Sequence, residues 1–428
     1  MPIRFTSIQL NKPPSLERRR PVRQDTTRVV PLRITIGNVK ARMPASFNQD
    51  SGGFSVKFVR QQATFSVSQR LALVLMLFVA CAAMGLEKLV AGPFQDENAS
   101  AAPQQVDRPV IDDEVQRHMQ GIGATAATLA ITFEGRIVYR KGFGFSDRRK
   151  KIPTQLRTTM RIASCTKPFT AAAIFELIDS GDLTEDTPVF EFLGIAPVGE
   201  LADERVRDIT VAHLLEHQGG WDHNQTFDPL YEIAAIKKNM RVRRVEKRHI
   251  VRYMWKQPLQ FQPGARKSYS NFGYLLLGLV IEKATGKSYI NSIRDLVIEP
   301  GEGDSISISS PVRSNRRSRE VHYPRENKLN YQLRDSASGL TTTSEVLAKF
   351  MSKYWITGKP LSGQRFFHFQ FGSHPGTTTA MMEQRLDKIH VALIMNSRRD
   401  EHYTNDNNAL RDALNRAIDS VKDELIKE

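Results

Sequence analysis

A chain of 428 residues, of which 40% are hydrophobic and 25% charged, has the composition of a globular protein with room for one large domain or two smaller ones. Its formal net charge of +15 would suggest nucleic-acid binding if it were spread evenly. Residues 1–70, however, contain 13 Lys or Arg and only 3 Asp or Glu, and no motif interleaves aromatic and basic residues. We therefore expect no nucleic-acid partner.

The segment after this basic head has the order of a secretion signal. The head itself, residues 1–70, lacks a repeating apolar face, which predicts a solvated or unfolded segment or a misassigned start. An uncharged apolar run from Leu71 to Leu86 follows Arg70 and contains the small residues Ala80-Cys81-Ala82, as in a signal peptide. Extension of the run to Val90 could make an uncleaved membrane anchor. We expect an extracytoplasmic protein that is periplasmic, secreted or membrane-anchored.

Residues 71–110 are thus predicted to combine a signal peptide or anchor with a linker. Because the head is unusually long for a segment before a signal, translation could start downstream, at Met43 or Met76. A buried core helix is the alternative interpretation of the apolar run. The two cysteines, Cys81 and Cys165, do not reveal the redox compartment, because removal or membrane insertion of the run leaves one thiol in the folded part.

The remaining chain, residues 111–428, is predicted to form the folded domain. An amphipathic segment, Ile111 to Met119, precedes two alternating apolar runs that flank Glu134-Gly135, which is the pattern of a β-hairpin. The middle portion, residues 185–300, is mostly helical in pattern. Near the end, HVALIMN is predicted to pair with TTTAMMEQ, and a helix begins at Asn408. This order predicts one antiparallel sheet built from both chain ends, with a helical insertion.

The first candidate for chemistry is the S-x-x-K motif Ser164-Cys165-Thr166-Lys167. It opens the stretch SCTKPFTAAAIFELIDSGDL, whose apolar residues recur at helical spacing and which ends with Ser-Gly-Asp. Three residues make almost one helical turn, so the amine can reach the hydroxyl. A serine needs a base to become a nucleophile, and a partly desolvated lysine has the lowered pKa for that task. Unpaired N–H groups at the helix start also suit an oxyanion.

The context of this motif resembles the nucleophile segment of the β-lactamase and penicillin-binding-protein superfamily, which includes class C β-lactamases, D-alanyl-D-alanine carboxypeptidases and related esterases. The family's second element, Tyr-x-Asn, has its counterpart in Tyr269-Ser270-Asn271 within FQPGARKSYSNFGYLLLGLVIEKATGKSY. The resemblance implies that Tyr269 shuttles a proton between Ser164 and the leaving group, with Lys167 holding its phenol near ionisation. It also implies that Asn271 donates a hydrogen bond to a substrate amide or carbonyl.

The third element of the family is Lys-Thr-Gly or His-x-Gly, and here the sequence departs from the pattern. Alignment on Pro375-Gly376-Thr377 places Gln370-Phe371-Gly372 there, so a neutral amide replaces the basic residue. The backbone N–H of Ser373 is still expected to complete the oxyanion hole with that of Ser164. Alternatively, His368 or His374 could supply the missing ring by a local shift. A glutamine does not attract a carboxylate as a lysine does, which favours neutral esters or amides over acidic substrates.

The resemblance implies an α/β (α+β) fold with a central antiparallel β-sheet flanked by helices and an all-helical subdomain, as in β-lactamases and transpeptidases. It implies a serine hydrolase that forms an acyl-enzyme on a small-molecule or peptide-like ester or amide, without metal or organic cofactor. Esterase, D-amino-acid peptidase, β-lactamase and transacylase activities all remain open. A catalytically silent member that keeps the fold as a binding module is a second hypothesis, to which the Gln370 departure lends support.

A zinc peptidase is the competing interpretation from another class of enzyme. His213-Leu214-Leu215-Glu216-His217 fits H-x-x-E-H, in which two histidines bind zinc and the glutamate acts as base. The same segment resembles one in which the serine family carries structural histidines, and that interpretation is preferred. The following Trp221-Asp222-His223 is expected to line the cleft.

Two basic runs in the folded domain need a separate explanation. They extend from Lys237 to Arg252 and from Arg313 to Arg319, and each is most simply a solvated face. They could instead attract an anionic cell-wall or surface glycan.

Overall fold

The computed structural model describes residues 107–196, 199–363 and 366–427, together with the backbone of three strands nearer the N-terminus. The chain divides into two units, Met1–Asn98 and Ala99–Glu428. In the first unit, β1 (Thr27–Ile36), β2 (Val39–Asn48) and β3 (Gly53–Val56) form an antiparallel sheet in that order. The prediction of a solvated or unfolded head does not anticipate these strands.

The predicted signal or anchor, residues 71–90, lies outside the described residues. Within the part of the chain that is described, no helix is both long and apolar enough to cross a bilayer. Export and anchoring therefore stay predictions.

The second unit alternates short strands with helices. Its strands are β4 (Ala126–Phe133), β5 (Arg136–Asp147), β6 (Ile152–Pro153), β7 (Met160–Arg161), β8 (Ser307–Ile308), β9 (Leu340–Thr342), β10 (His368–His374), β11 (Thr378–Gln384) and β12 (Ile389–Met395). Its helices are α1 (Pro109–Ile122), α2 (Thr166–Asp179), α3 (Val189–Leu193), α4 (Val211–Leu215), α5 (Ile233–Asn239), α6 (Lys247–Met254), α7 (Asn271–Thr285), α8 (Tyr289–Leu296), α9 (Ser344–Lys353), α10 (Tyr403–Ser420) and α11 (Lys422–Leu425).

The main sheet has six antiparallel strands in the order β10-β11-β12-β4-β5-β6. The predicted hairpin joins β4 to β5, where Phe133 pairs with Arg136 and both turn residues, Glu134 and Gly135, have positive φ as a type I′ turn requires. The predicted pairing of TTTAMMEQ with HVALIMN is that of β11 with β12. Strands from both ends of the domain therefore meet at the β12–β4 pair in the centre of the sheet.

Helices cover both faces of this sheet. The amphipathic helices α1 and α10 bury their apolar sides on one face, and α10 begins at Tyr403, five residues before the expected start. On the other face lie α2, α7 and α9. Helix α7 is apolar on nearly all sides, and such a helix is stable only when it is surrounded. The predicted fold, a central antiparallel sheet flanked by helices with a helical region inserted between its strands, is confirmed.

The two basic runs are only partly solvated faces. The side chain of Arg316 is 3% exposed and pairs with Glu326 over 2.7 Å. Lys247 lies between Asp335 and Glu282, at 2.6 and 3.2 Å. The interpretation as purely solvated faces is therefore wrong at these two positions, because the fold encloses both basic side chains and pairs them with carboxylates.

Candidate active site

Ser164 stands at the junction between the main sheet and the helical region. It is the middle residue of a 3₁₀ turn, Ala163–Cys165, that runs directly into α2, as the sequence predicted for a helix start. Ala163 adopts a φ of +47°, which an L-residue with a side chain adopts only at a cost. The surrounding structure, in which Ala163 is fully buried, holds this strained conformation just before the candidate nucleophile.

The three predicted catalytic side chains meet at one point. The hydroxyls of Ser164 and Tyr269 are 2.8 Å apart, although the residues are 105 positions apart in the chain. Lys167 Nζ approaches Ser164 Oγ to 3.4 Å. Two stronger contacts hold the lysine, one to Asn271 Oδ1 at 2.7 Å and one to the carbonyl oxygen of Ala337 at 2.8 Å.

The environment of Lys167 makes its amine a base. Burial disfavours the ammonium form and lowers the pKa of Lys167 from its ordinary value to about 7, with Asp228 opposing the shift and Arg334 adding to it. A neutral amine can donate to Asn271 and Ala337 and keep its lone pair for the Ser164 hydroxyl proton. The arrangement thus provides a serine with a general base.

Tyr269 lies two residues before the start of α7, and its hydroxyl contacts Ser164 from there. Its ring packs on His217 with centroids 4.7 Å apart, and the Lys167 amine lies 4.7 Å from the ring centre. Burial raises the pKa of Tyr269 above its ordinary value, even though 37% of the residue surface is exposed. The expectation that Lys167 holds this phenol near ionisation is therefore not supported, because the enclosed hydroxyl end favours the neutral form.

The side-chain amide of Asn271 is hydrogen-bonded to two protein side chains, whereas the sequence predicted a substrate group as its partner. Its Nδ2 donates to Asp228 Oδ2 over 2.6 Å while its Oδ1 accepts from Lys167. The asparagine therefore links Lys167 to a carboxylate, and one N–H of its amide remains unused by protein partners among the described residues. Nothing in the sequence around Asp228 signalled this role.

Strand β10 passes directly beside the nucleophile turn, as the alignment on the Pro-Gly-Thr motif predicted. A Cβ added to Gly372 would overlap the carbonyl oxygen of Ile162, so only glycine allows this approach. Cys165 Sγ lies 3.5 Å from the carbonyl oxygen of Gln370. Ser373 turns its side chain to Asn407, at 3.5 Å, so that only its backbone can face Ser164.

The structure also locates the three candidates for the basic position of the third element. Gln370 is half-buried and its Nε2 donates to the carbonyl oxygen of Phe371. His374 is buried behind the site, bonds the carbonyl oxygen of Ser338 over 2.8 Å, and has a pKa well below its ordinary value because of burial. His368 packs against Trp355 at the far end of the strand. Gln370 and His374 therefore lie two residues to either side of Gly372 on the same face of β10, and Gln370 is the more exposed of the two.

The histidines of the zinc-peptidase pattern support the backbone. His213 Nδ1 accepts from the N–H of Thr210 over 3.3 Å, and His217 Nδ1 accepts from the N–H of Ser270 over 3.1 Å. Helix α4 ends before His217, whose φ is +58°, so the two rings are not one helical turn apart. Burial lowers the pKa of His217 to about 3. Among the described residues no group of three or more His, Cys, Asp or Glu side chains could hold a metal ion.

Of the predicted cleft residues, Trp221 and His223 line a cavity of about 250 Å³ beside Asn271. Asp222 is turned toward Arg266, 2.8 Å away. Sequence reasoning missed the Ala337 carbonyl and Arg334, because neither a main-chain oxygen nor a single arginine in an irregular loop leaves a pattern in the sequence.

Comparison with known proteins agrees with this geometry. Residues 111–410 match the family model described as Beta-lactamase. Esterase EstB of Burkholderia gladioli is 31% identical over 191 residues, which cover 44% of this chain and 47% of that protein. Penicillin-binding protein 4* of Bacillus subtilis (strain 168) is 31% identical over 169 residues, or 39% of this chain and 34% of that protein. The chain thus spans less than half the length of these curated relatives.

The solved structure of D-alanine carboxypeptidase AmpC from Burkholderia cenocepacia aligns with a TM-score of 0.57 and 14% identity, over 73% of this chain and 98% of that chain. At this identity the similarity establishes the fold alone. The family model, by contrast, spans most of the second unit and includes Ser164, Lys167 and Tyr269. The chain belongs to the β-lactamase family of serine hydrolases.

Proposed function

We propose that this chain hydrolyses a neutral ester or amide through an acyl-enzyme on Ser164. The observation that supports this most directly is the buried Lys167, whose pKa of about 7 leaves a large fraction of neutral amine beside the serine hydroxyl at physiological pH. A hydrolase of this kind needs a base matched to the working pH, and a lysine at its ordinary pKa would be protonated.

In the proposed reaction Lys167 takes the proton of Ser164 as Oγ attacks the substrate carbonyl. Tyr269 gives its proton to the departing alkoxide or amine, and the lysine ammonium then reprotonates the phenolate. In deacylation water attacks the acyl carbonyl and loses a proton to Lys167, while Tyr269 protonates the departing Oγ. The Lys167 ammonium then returns a proton to the Tyr269 phenolate, which restores the starting state. The backbone N–H groups of Ser164 and Ser373 are assigned to the oxyanion in both steps.

The preference for a neutral substrate is supported by Gln370. This residue lies beside Gly372 on β10, where relatives in the family carry a basic side chain that can attract a carboxylate, and an amide has no net charge. The esterase name of one relative points in the same direction.

The experiment that tests the proposal is the intact mass of the folded unit after exposure to a fluorophosphonate probe. We expect one adduct, mapped to Ser164 and absent in Ser164→Ala. A folded protein that takes no adduct would contradict hydrolysis and favour the binding module. Activity on p-nitrophenyl butyrate, a D-alanyl-D-alanine peptide and a penicillin would then rank the substrates. Gln370→Lys should raise the relative rate on the peptide, whose carboxylate the new ammonium can bind.

We further propose that the protein acts outside the cytoplasm, delivered or anchored by residues 71–90. The apolar run and its basic flank support this. N-terminal sequencing of the protein isolated from its native cell tests the idea: a mature start after residue 80, or retention in the membrane fraction, is expected. A soluble cytosolic chain that keeps residues 1–70 would contradict it.

A further inference from the structure

The helical region contains a cavity of about 250 Å³ that opens beside the catalytic residues. Its walls are largely apolar and include the side chains of Trp221, Phe227, Met254, Pro258 and Phe272. They come from three separate parts of the chain, so the cavity exists only in the folded protein.

Apart from Gln257, the polar residues in the wall are engaged with protein partners. Asp228 accepts from Asn271 Nδ2 at 2.6 Å and from the N–H of Leu230 at 2.9 Å. His223 Nδ1 contacts the carbonyl oxygen of Tyr269 at 2.8 Å. Gln260 accepts from the N–H of Asp222 at 2.9 Å and donates to a neighbouring carbonyl oxygen. A ligand that enters the cavity therefore finds mainly apolar surface.

One donor in the wall is unused. The indole Nε1 of Trp221 is buried and has no acceptor among the described residues. The indole carries no charge to balance a carboxylate. An anionic group would also approach the Asp228 carboxylate in the same wall. The cavity thus suits an uncharged ligand.

Two lining residues connect the cavity to the nucleophile. Asn271 Oδ1 is 2.7 Å from Lys167 Nζ, which is 3.4 Å from Ser164 Oγ. His223 touches the main chain of Tyr269, whose hydroxyl is 2.8 Å from the same Oγ. The cavity therefore shares Asn271 with the hydrogen-bonded group of Lys167 and Ser164, and an acyl group on Ser164 that extends toward Asn271 points to this wall.

The acyl side of the substrate, and not the leaving group, fits this position. Tyr269, which is assigned to protonate the leaving group, is 37% exposed, and the hydrolytic water must arrive where the leaving group departs. That part of the site has to stay open to solvent through the reaction cycle. The acyl group must stay bound through both chemical steps, which an enclosed apolar cavity favours.

The cavity volume limits the acyl group. A water molecule takes about 30 Å³ of liquid volume, so 250 Å³ holds roughly eight groups of the size of a methylene. Chains of about four to eight carbons, or a phenyl ring on a short linker, match this space, whereas a dodecanoyl chain exceeds it.

We propose that this cavity is the acyl-binding pocket of the hydrolase and that it selects uncharged apolar acyl groups of medium length. The proposal rests on the proposed function for its catalytic readout. Binding of an uncharged amide in the absence of catalysis provides a second, independent readout.

The test combines two measurements on the full chain. The first is kcat/KM for p-nitrophenyl esters with acetyl, butanoyl, hexanoyl, octanoyl and dodecanoyl groups, and with the charged 6-aminohexanoyl and glutaryl groups. The second is binding of octanamide to Ser164→Ala, followed by calorimetry. Gln257→Trp is the blocking variant, because Gln257 lines the cavity and its side chain makes no hydrogen bond to another described residue. Gln120→Trp, on the exposed side of α1, is the matched control.

We expect kcat/KM to rise by about tenfold or more from acetyl to hexanoyl or octanoyl, at up to about fourfold per methylene, and to fall for dodecanoyl. Both charged esters should be at least about tenfold poorer than hexanoyl. Gln257→Trp should remove the gain and weaken octanamide binding, and Gln120→Trp should change neither. Labelling of Ser164 with a flat chain-length profile, or faster cleavage of a charged ester, would overturn the acyl pocket alone.

The two proposals fail in distinguishable ways. No labelling of Ser164, with octanamide binding that Gln257→Trp abolishes, would refute hydrolysis and leave an apolar ligand pocket. Absence of both labelling and octanamide binding would refute the two proposals together.

Discussion

Lys167 Nζ donates to the main-chain carbonyl oxygen of Ala337 over 2.8 Å, although the two residues are 170 positions apart in the sequence. The carbonyl belongs to an irregular turn, Asp335–Gly339, that packs against α2 and α7. Together with Asn271 it fixes the direction of the amine. The lone pair of a neutral lysine is thereby left for Ser164, which couples the loop before β9 to the reactivity of the nucleophile.

The pH dependence of the rate should report Lys167. Because burial disfavours the ammonium and lowers the pKa of Lys167 to about 7, the active neutral form is gained as pH rises through 7. Below that value kcat/KM should fall by about tenfold per pH unit. Hydrolysis of p-nitrophenyl butyrate between pH 5 and pH 9 measures this, with Ser164→Ala subtracted as the blank. An acid limb centred above pH 9 would show that the lysine is not desolvated.

Removal of one hydroxyl should separate Tyr269 from its packing role. Tyr269→Phe keeps the ring against His217 and loses only the contact to Ser164 Oγ. We expect kcat/KM, which reports acylation, to fall by about 10²- to 10⁴-fold, because a general acid is lost, with little change in thermal stability. The rate of hydrolysis should fall less for esters with better leaving groups, since these groups depart with less need of a proton. An equal loss for all leaving groups would contradict the role of Tyr269 as proton donor.

The close approach of β10 to the nucleophile turn should make Gly372 intolerant of a side chain. Gly372→Ala would place a methyl group against the carbonyl oxygen of Ile162 and push the strand away from Ser164. A displacement of this kind is expected to lower kcat/KM by about 100-fold. Gly121→Ala is the control, because a Cβ there meets no atom within 4 Å and replaces a helical glycine. It should leave activity unchanged and, if anything, stabilise α1.

The buried charges near the loop before β9 should contribute to stability. The side chains of Lys247 and Asp335 are 13% and 8% exposed, and Lys247→Met would leave the Asp335 carboxylate without its counter-charge. We expect a loss of about 3–5 kcal/mol in the free energy of unfolding, measured by urea denaturation.

Arg207→Met is the matched control for that experiment. It removes an ion pair to Glu204 whose side chains are 64% and 70% exposed, and such pairs contribute less than about 1 kcal/mol. Similar losses in the two variants would show that Asp335 is not held as a buried charge.

The sequence predicted that Ser164, Lys167 and Tyr269 belong to one site because each is part of a short local pattern. S-x-x-K at a helix start requires only that Ser164 and Lys167 share one turn, and Tyr-x-Asn before a continuous apolar helix identifies Tyr269. The sheet was predictable for a similar reason, since alternation and turn residues are local. The prediction that Asn271 first serves the substrate missed its partner Asp228, because that contact joins segments far apart in the chain.

The sequence by itself determined the residue types that can perform acyl transfer, the strands and helices that carry them, and the glycine that β10 needs beside the nucleophile. Only the tertiary structure decided the burial of Lys167 and the shape of the cavity beside Asn271. Both depend on contacts between distant segments: solvent exclusion around Lys167 sets its pKa, and Trp221, Met254 and Phe272 enclose space only after folding. The order of residues along the chain does not show how deeply a side chain is buried or which distant segments it contacts.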